Sequence, residues 1–248
     1  MAIIFEKTKG LTDKETHYCP GCTHGIIHRL VGEALVELNI LDDAIGVAPV
    51  GCSVLAFEYF NCDMQQAAHG RAPAVATGIK RVHPDSFVFT YQGDGDLASI
   101  GTAEIVHVAH RAEKISTIFV NNAIYGMTGG QMAPTTLIGQ RATTAPYGRD
   151  AATTGQPLQI SEMLATIPGA VFVERVSVDS PANIRKAKKA ILECFKAQIE
   201  GKGFGIVEVL STCPTNWGLT APESMKWLKD NMIPYYPLGN FRNTKEEE

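Results

Sequence analysis

The chain has 248 residues, of which 45% are hydrophobic and 19% charged, enough for one large domain with a buried sheet. A formal net charge of −4 without a basic run gives no footing for nucleic acid, and Met1 to Lys14 carries Glu6 and Asp13 where a signal peptide would be apolar. No stretch approaches the roughly 18 uninterrupted apolar residues of a membrane span, so a cytoplasmic protein is expected, with no membrane partner and with its six cysteines reduced or metal-bound.

Residues 1–17 show no period and read as an N-terminal arm. Tyr18-Cys19-Pro20-Gly21-Cys22-Thr23-His24-Gly25 then holds two thiols in a Pro-Gly turn, ahead of a helix whose apolar stripe is Ile26, Ile27, Leu30, Val31, Ala34, Leu35 and Leu38. Three chemistries use such a pair. A thioredoxin-like redox couple wants a preceding strand, which is not visible; zinc wants a second Cys-x-x-Cys, which the chain lacks; an iron–sulfur cluster wants four cysteines and tolerates scattered ones. Ala44 to Val50 is a predicted strand running into Gly51-Cys52-Ser53, which puts Cys52 at its carboxyl end. Cys62 fits a partly buried free thiol. Ala68-His69-Gly70-Arg71-Ala72 opens a further helix and sets His69 where it can face an anion.

Ser86 to Tyr91 is a strand that the glycines of Gly93-Asp94-Gly95-Asp96 break just where a carboxylate arrives. Ala98 to Ala112 follows as a helix with Ile100, Ala103, Val106 and Ala109 inward, and with His107 and His110 as surface or packing residues. Ile115 to Val120 is a second strand ending in Asn121-Asn122. A strand–helix–strand unit is right-handed, so its strands run parallel and Asp94 meets Asn122 at one sheet edge. Carboxylate and amide oxygens suit Mg2+, which commonly borrows further ligands from phosphates, and Gly93 and Gly95 let backbone N–H groups approach an anion. The spacing matches neither Gly-x-Gly-x-x-Gly nor a Walker A loop.

Gly126 to Thr136 is a glycine-rich polar loop with no regular element before about Ile160, and residues 123–155 read as covering a ligand and forming an interface. Val171 to Val176 is a strand. Asp179-Ser180-Pro181 caps a helix to about Glu200 with Ile184, Ala187, Ile191, Cys194 and Phe195 inward, which makes Cys194 a structural thiol. Phe204 to Leu210 is the last predicted strand and ends in Ser211-Thr212-Cys213-Pro214. Residues 214–240 carry no helical or strand period and belong to a C-terminal docking tail, 214–248, whose last four residues are expected to be solvated. The fold expected is a single α/β domain, 1–248, an open and mainly parallel sheet with helices on both faces. In such a sheet Cys52 and Cys213 fall on the same rim as Asp94, and Cys19 with Cys22 can close a four-thiolate site there. Four thiolates suit a [4Fe–4S] cluster by softness and count; zinc is the alternative.

Gly-Asp-Gly, 25 residues, then Asn-Asn resembles the motif of thiamine diphosphate enzymes. Taken with Cys-Pro-Gly-Cys, Gly-Cys-Ser, His-Gly-Arg, Asn-Asn-x-x-Tyr-Gly-Met-Thr-Gly-Gly-Gln and the late Cys-Pro, most of residues 17–215 resembles the β subunit of 2-oxoacid:ferredoxin oxidoreductases. The resemblance implies the thiamine diphosphate-binding fold, with Mg2+ on Asp94, Asn122 and the Ile124 carbonyl. It implies cofactor contacts at Gly51, Cys52, Ser53, His69, Gly93, Asp94, Gly95, Asp96, Asn122, Ile124, Tyr125, Gly126, Met127 and Thr128. Cys19, Cys22, Cys52 and Cys213 become [4Fe–4S] ligands, and the reaction becomes oxidative decarboxylation of a 2-oxoacid to acyl-CoA and CO2, with electrons passing to ferredoxin.

No second thiamine-type domain and no ferredoxin-like cysteine run is visible. The expected partners are therefore an α subunit that carries the pyrimidine-binding domain and its activating glutamate, together with γ and ferredoxin-like δ subunits, and no catalytic residue is assigned to this chain, which alone is expected to be inactive. Gly129-Gly130 leaves room beside the cofactor, and no Lys or Arg stands there to receive a second carboxylate, which leans towards 2-oxoisovalerate over 2-oxoglutarate. Two rivals remain: half of a non-oxidative thiamine decarboxylase, and a non-catalytic iron–sulfur electron-transfer subunit.

Overall fold

The computed structural model describes residues 6–244. Seven strands, β1 Ala44–Ala48, β2 Asp63–Gln66, β3 Phe87–Gly93, β4 Ser116–Asn121, β5 Ala170–Ser177, β6 Phe204–Leu210 and β7 Gly239–Asn243, form one sheet in the order β2-β1-β3-β4-β6-β5-β7. All neighbours are parallel except β7, which runs antiparallel along the β5 edge. The central strands β4 and β6 are buried along their whole length, as their near-continuous Ile, Val and Phe content requires of a sheet covered on both faces.

The helices are α1 His24–Glu37, α2 Ala56–Tyr59, α3 Ala72–Val82, α4 Thr102–His110, α5 Ala151–Thr154, α6 Ile160–Ala165, α7 Pro181–Ile199, α8 Pro214–Trp217, α9 Ala221–Trp227 and α10 Ile233–Tyr235. On one face α1 and α7 bury Leu30, Val31, Leu35, Ile191 and Phe195 against Phe89, Ile118 and Val207; on the other α3, α4 and α6 bury Ala76, Ile105, Val108 and Leu164 against Val88, Phe119 and Ile206. α7 starts as its sequence demands, with the Ser180 hydroxyl accepting from Asn183 N and Pro181 in the first turn. Cys194 is buried in its stripe, packed so closely on Gly205 that a side chain there would meet its sulfur at 2.7 Å. Among the described residues no helix is long and apolar enough to cross a membrane.

Three expectations need correction. The segment after Gly95 is not one regular helix: Asp96–Ile100 is a π-turn and α4 begins at Thr102. The extra residue in that turn shifts the phase, so Ile105 and Val108 are buried beside Ala109, which lies inward as expected, while Ile100 is 44% exposed and Ala103 faces solvent. Residues 214–243 are regular after all, with three short α-helices, a π-turn at Leu228–Met232 and β7; Leu228, Met232 and Tyr236 pack on Leu137 and Leu210 of this chain. Their Pro, Trp and Tyr content hid short elements behind capping chemistry, as at Thr220 and Glu223, which form a reciprocal capping box for α9. The edge strand β2 was also unforeseen, its polar residues giving no alternation. The expected solvated tail at 245–248 lies outside the described residues.

Candidate functional site

Because β1, β3, β4 and β6 are parallel, their carboxyl ends share one rim, and the loops that leave them meet there. Asp94, just past β3, is buried. Its Oδ1 accepts from Gly95 N at 2.9 Å, and its Oδ2 accepts from Ile124 N at 3.0 Å and from the Thr135 hydroxyl at 2.6 Å. Burial pushes the Asp94 carboxyl up to about 7, against the pull of these donors.

The Asn122 amide reaches the same point, 3.3 Å from Asp94 Oδ1 and 2.8 Å from the Ile124 carbonyl oxygen. With its NH2 on that side it donates to both; turned half a revolution, it completes a triangle of three oxygens that repel one another unless a cation lies between them. Carboxylate, amide and backbone carbonyl are the donor set a hard divalent ion takes. The geometry depends on Ala123, which sits at a left-handed φ of 57° and so turns Ile124 back towards Asp94. Its carbonyl is held there by the Thr136 hydroxyl and the Gln140 amide.

Asp96 lines the same cavity with both oxygens already taken. Oδ1 accepts from Gly70 N, Val50 N and His69 Nδ1, and Oδ2 accepts from Gln92 Nε2 at 2.6 Å, so the carboxylate ties three loop ends together. His69 stands in the turn before α3, and with Nδ1 on Asp96 it has Nε2 left for a ligand. Tyr125 lies flat on Gly95, its hydroxyl donating to the Gly95 carbonyl at 3.1 Å; a Cβ at Gly95 would meet the ring at 2.3 Å. Gly95→Ala is therefore expected to drive Tyr125 off the cavity wall and weaken ligand binding there about tenfold or more, a loss of at least ~1.4 kcal/mol, measurable by titration calorimetry; an unchanged affinity would exclude Tyr125 from the site.

All fourteen residues expected to touch a cofactor line this cavity, and His24 and Val50 join them. His24 went unforeseen: it opens α1, its Nδ1 meets the Tyr91 hydroxyl at 2.8 Å, and burial pushes its ring down to about 3, which keeps it neutral. Nothing in the sequence separates it from a helix-start histidine.

A second cavity, of about 380 Å³, adjoins the first, and Cys52, Asn122, Gly126 and Met127 line both. Cys19, Cys22 and Cys213 complete its set of thiols. Among the described residues no three His, Cys, Asp or Glu side chains close on a single point. The four thiols line the wall of this cavity, Cys213 from the end of β6 and Cys52 from the end of β1. Burial above all pushes the Cys22 and Cys52 thiols up to about 12, so both need a metal partner to ionise near neutrality. No disulfide forms among the described cysteines, and Cys62 lies apart, its sulfur 3.9 Å from that of Met64.

Behind the site, the loop from 123 to 155 is organised by Arg149, whose buried guanidinium donates to the carbonyls of Ala133, Pro134, Thr136, Thr154, Gly155 and Gln156. This fixes the turn that delivers Thr135 to Asp94. No sequence signal marks Arg149, because its partners are all backbone oxygens.

Residues 49–209 match the family model described as the thiamine pyrophosphate enzyme, C-terminal TPP binding domain. The chain is 50% identical over 244 residues to the ketoisovalerate oxidoreductase subunit VorA of Methanothermobacter thermautotrophicus, covering 98% of this chain and 51% of that one. It is 40% identical over 237 residues to the 2-oxoglutarate synthase subunit KorB of Methanocaldococcus jannaschii, covering 93% and 82%. The chain thus spans about half the length of the VorA subunits it matches. Among solved structures it is similar to a 2-oxoglutarate:ferredoxin oxidoreductase from Magnetococcus marinus with 2-oxoglutarate, coenzyme A and succinyl-CoA bound, at a TM-score of 0.79 and 27% identity over 96% of this chain and 87% of that one.

Proposed function

The chain belongs to the thiamine pyrophosphate-binding subunits of 2-oxoacid:ferredoxin oxidoreductases, and from that premise we propose that it serves the oxidative decarboxylation of a 2-oxoacid to acyl-CoA and CO2, passing electrons through a [4Fe–4S] cluster to ferredoxin. The observation that carries the proposal is the shared wall: Cys52, Asn122, Gly126 and Met127 border both the oxygen-lined cavity and the four-thiol cavity. A carbon centre and an electron acceptor seated in the two would be neighbours.

In this reading Asp94, Asn122 and the Ile124 carbonyl would hold Mg2+, and the cavity wall at Gly93, Gly95 and His69 would receive the diphosphate. Cys19, Cys22, Cys52 and Cys213 hold the cluster. Thiamine diphosphate, when bound, supplies the carbanion chemistry that releases CO2. The chain's own share is to fix and align: Asp96 sets the His69 ring so that Nε2 presents to the anion, and Tyr125 closes the wall above Gly95. Cys19, Cys22, Cys52 and Cys213 would give up their protons on binding iron. The residue that activates the cofactor's pyrimidine belongs to a partner α subunit, and γ and ferredoxin-like δ subunits carry the electrons outward.

No Lys or Arg lines either cavity among the described residues, which favours a 2-oxoacid with an apolar side chain, such as 2-oxoisovalerate, over one with a second carboxylate. The test combines composition and turnover. The purified chain should carry iron and acid-labile sulfide, and the complex assembled with its partners should reduce ferredoxin only when both coenzyme A and a 2-oxoacid are present, 2-oxoisovalerate ahead of 2-oxoglutarate. CO2 release by an iron-free complex would make it a non-oxidative decarboxylase; a cluster without any 2-oxoacid turnover would make it an electron-transfer subunit.

A further inference from the structure

Asn216 stands three residues after Cys213, in the first turn of α8, and its one amide nitrogen serves two acceptors. Nδ2 donates to Cys213 Sγ at 3.2 Å and to the Gly126 carbonyl at 2.9 Å. The rest of the side chain is clamped: a Cβ on Gly130 would come within 3.0 Å of Asn216 Oδ1, and Gly130 keeps that space open at a φ of 82°. Gly126 is equally confined, since a Cβ there would lie 2.9 Å from Cys52 Sγ and 3.6 Å from Cys213 Sγ. The amide is thus oriented by a backbone carbonyl on one side and by loop packing on the other, and its second hydrogen has one place to go, the sulfur.

We propose that Asn216 is a positioning residue that sets the reduction potential of the four-thiolate centre and ties that centre to the cofactor loop, a role that rests on the cluster reading above. Hydrogen bonds to cluster sulfurs, with charge and burial, are what tune such potentials: an N–H directed at a ligand sulfur draws off electron density and favours the reduced state. The neighbouring ring groups offer no equal. The Tyr18 hydroxyl is paired with His28 and His24 Nδ1 with Tyr91; the backbone N–H groups of His24 and Asn216 also turn to Cys22 and Cys213, and among the described side chains the amide of Asn216 is the N–H donor that reaches a cavity sulfur. The other hydrogen fixes Gly126, the residue before Met127 and Thr128 on the cofactor side. Electron acceptance and cofactor seating therefore share a single side chain.

The experiment is a redox titration of the full chain followed by electron paramagnetic resonance, with Asn216→Leu and Asn216→Asp beside the wild type. Leu removes the donor at similar volume; Asp keeps the shape and replaces the donor with a negative charge. With iron and acid-labile sulfide at the wild-type level, both midpoints should move to lower potential, Asp further than Leu. Midpoints equal to wild type in the variants that keep their iron would overturn the proposal. So would loss of iron from both, which would make Asn216 a residue of cluster assembly. A wild-type chain without iron would instead overturn the cluster reading itself, and this role with it, so the two failures are told apart by the wild-type iron content.

Discussion

Asp94→Asn is expected to cost thiamine diphosphate binding about 100-fold or more, equivalent to some ~3 kcal/mol, because it removes the one formal charge facing the Asn122 and Ile124 oxygens while leaving the volume unchanged. Titration calorimetry in the presence of Mg2+ reads the loss directly, with circular dichroism as the check that the fold survives; wild-type affinity would remove Asp94 from the site. The same carboxyl makes the binding pH-dependent. Mg2+ takes the ionised form, so affinity should fall as the pH is lowered through about 7, and binding below that point should release a proton. The stability of the metal-free chain runs the other way. A carboxyl raised from 3.8 to about 7 contributes fully below its unfolded value and loses that contribution as the pH climbs through the folded one. The metal-free chain should therefore melt at a lower temperature at pH 8 than at pH 5, with Mg2+ and cofactor restoring part of the difference at the higher pH.

What could be foreseen of this site was what local chemistry writes into the chain. A carboxylate placed between two glycines after an apolar strand, and an amide pair after the next strand, have one relation in a right-handed parallel unit, and Asp94 and Asn122 indeed stand within hydrogen-bond reach. Cys52 and Cys213 followed from the same rule, since each trails a strand of that sheet. The parts that escaped depend on partners far off in sequence. Asp96 belongs to the motif and reads as a cofactor contact; it lines the cavity, and what the motif does not reveal is that Val50, His69, Gly70 and Gln92 take its oxygens and make it a brace. Arg149, which nothing in the sequence marks, is the hub of its loop. The phase of α4 was lost for another reason: a π-turn adds one residue, and no periodicity count detects it from within.

The largest stability effect should come from a residue no motif includes. Arg175 on β5 is wholly buried, with Nε on Glu208 at 2.8 Å, Nη1 on Glu162 at 2.8 Å and on the Pro237 carbonyl at 3.2 Å, and its guanidinium against the rings of Tyr236 and Phe241. Glu208, equally buried on β6, also accepts from Asn121 Nδ2 at 2.8 Å and from the Ser161 hydroxyl. Arg175→Met would leave that carboxylate without its counter-charge, and stranding one partner of a buried pair costs about 3–5 kcal/mol, a fall in melting temperature on the order of 10 °C for a chain of this size. Glu162 is partly exposed and can turn to water, so the penalty concentrates on Glu208. The double variant Arg175→Met/Glu208→Gln separates the causes: a neutral amide keeps hydrogen-bonding capacity for Asn121 and Ser161 while removing the stranded charge, so it should recover a large part of the loss in a double-mutant cycle. A double variant no more stable than Arg175→Met alone would trace the cost to lost packing around Tyr236 and Phe241. Since Glu208 holds Asn121, the residue beside Asn122, the single variant should also loosen cofactor binding, by less than Asp94→Asn does, because it disturbs the end of β4 without removing a metal ligand.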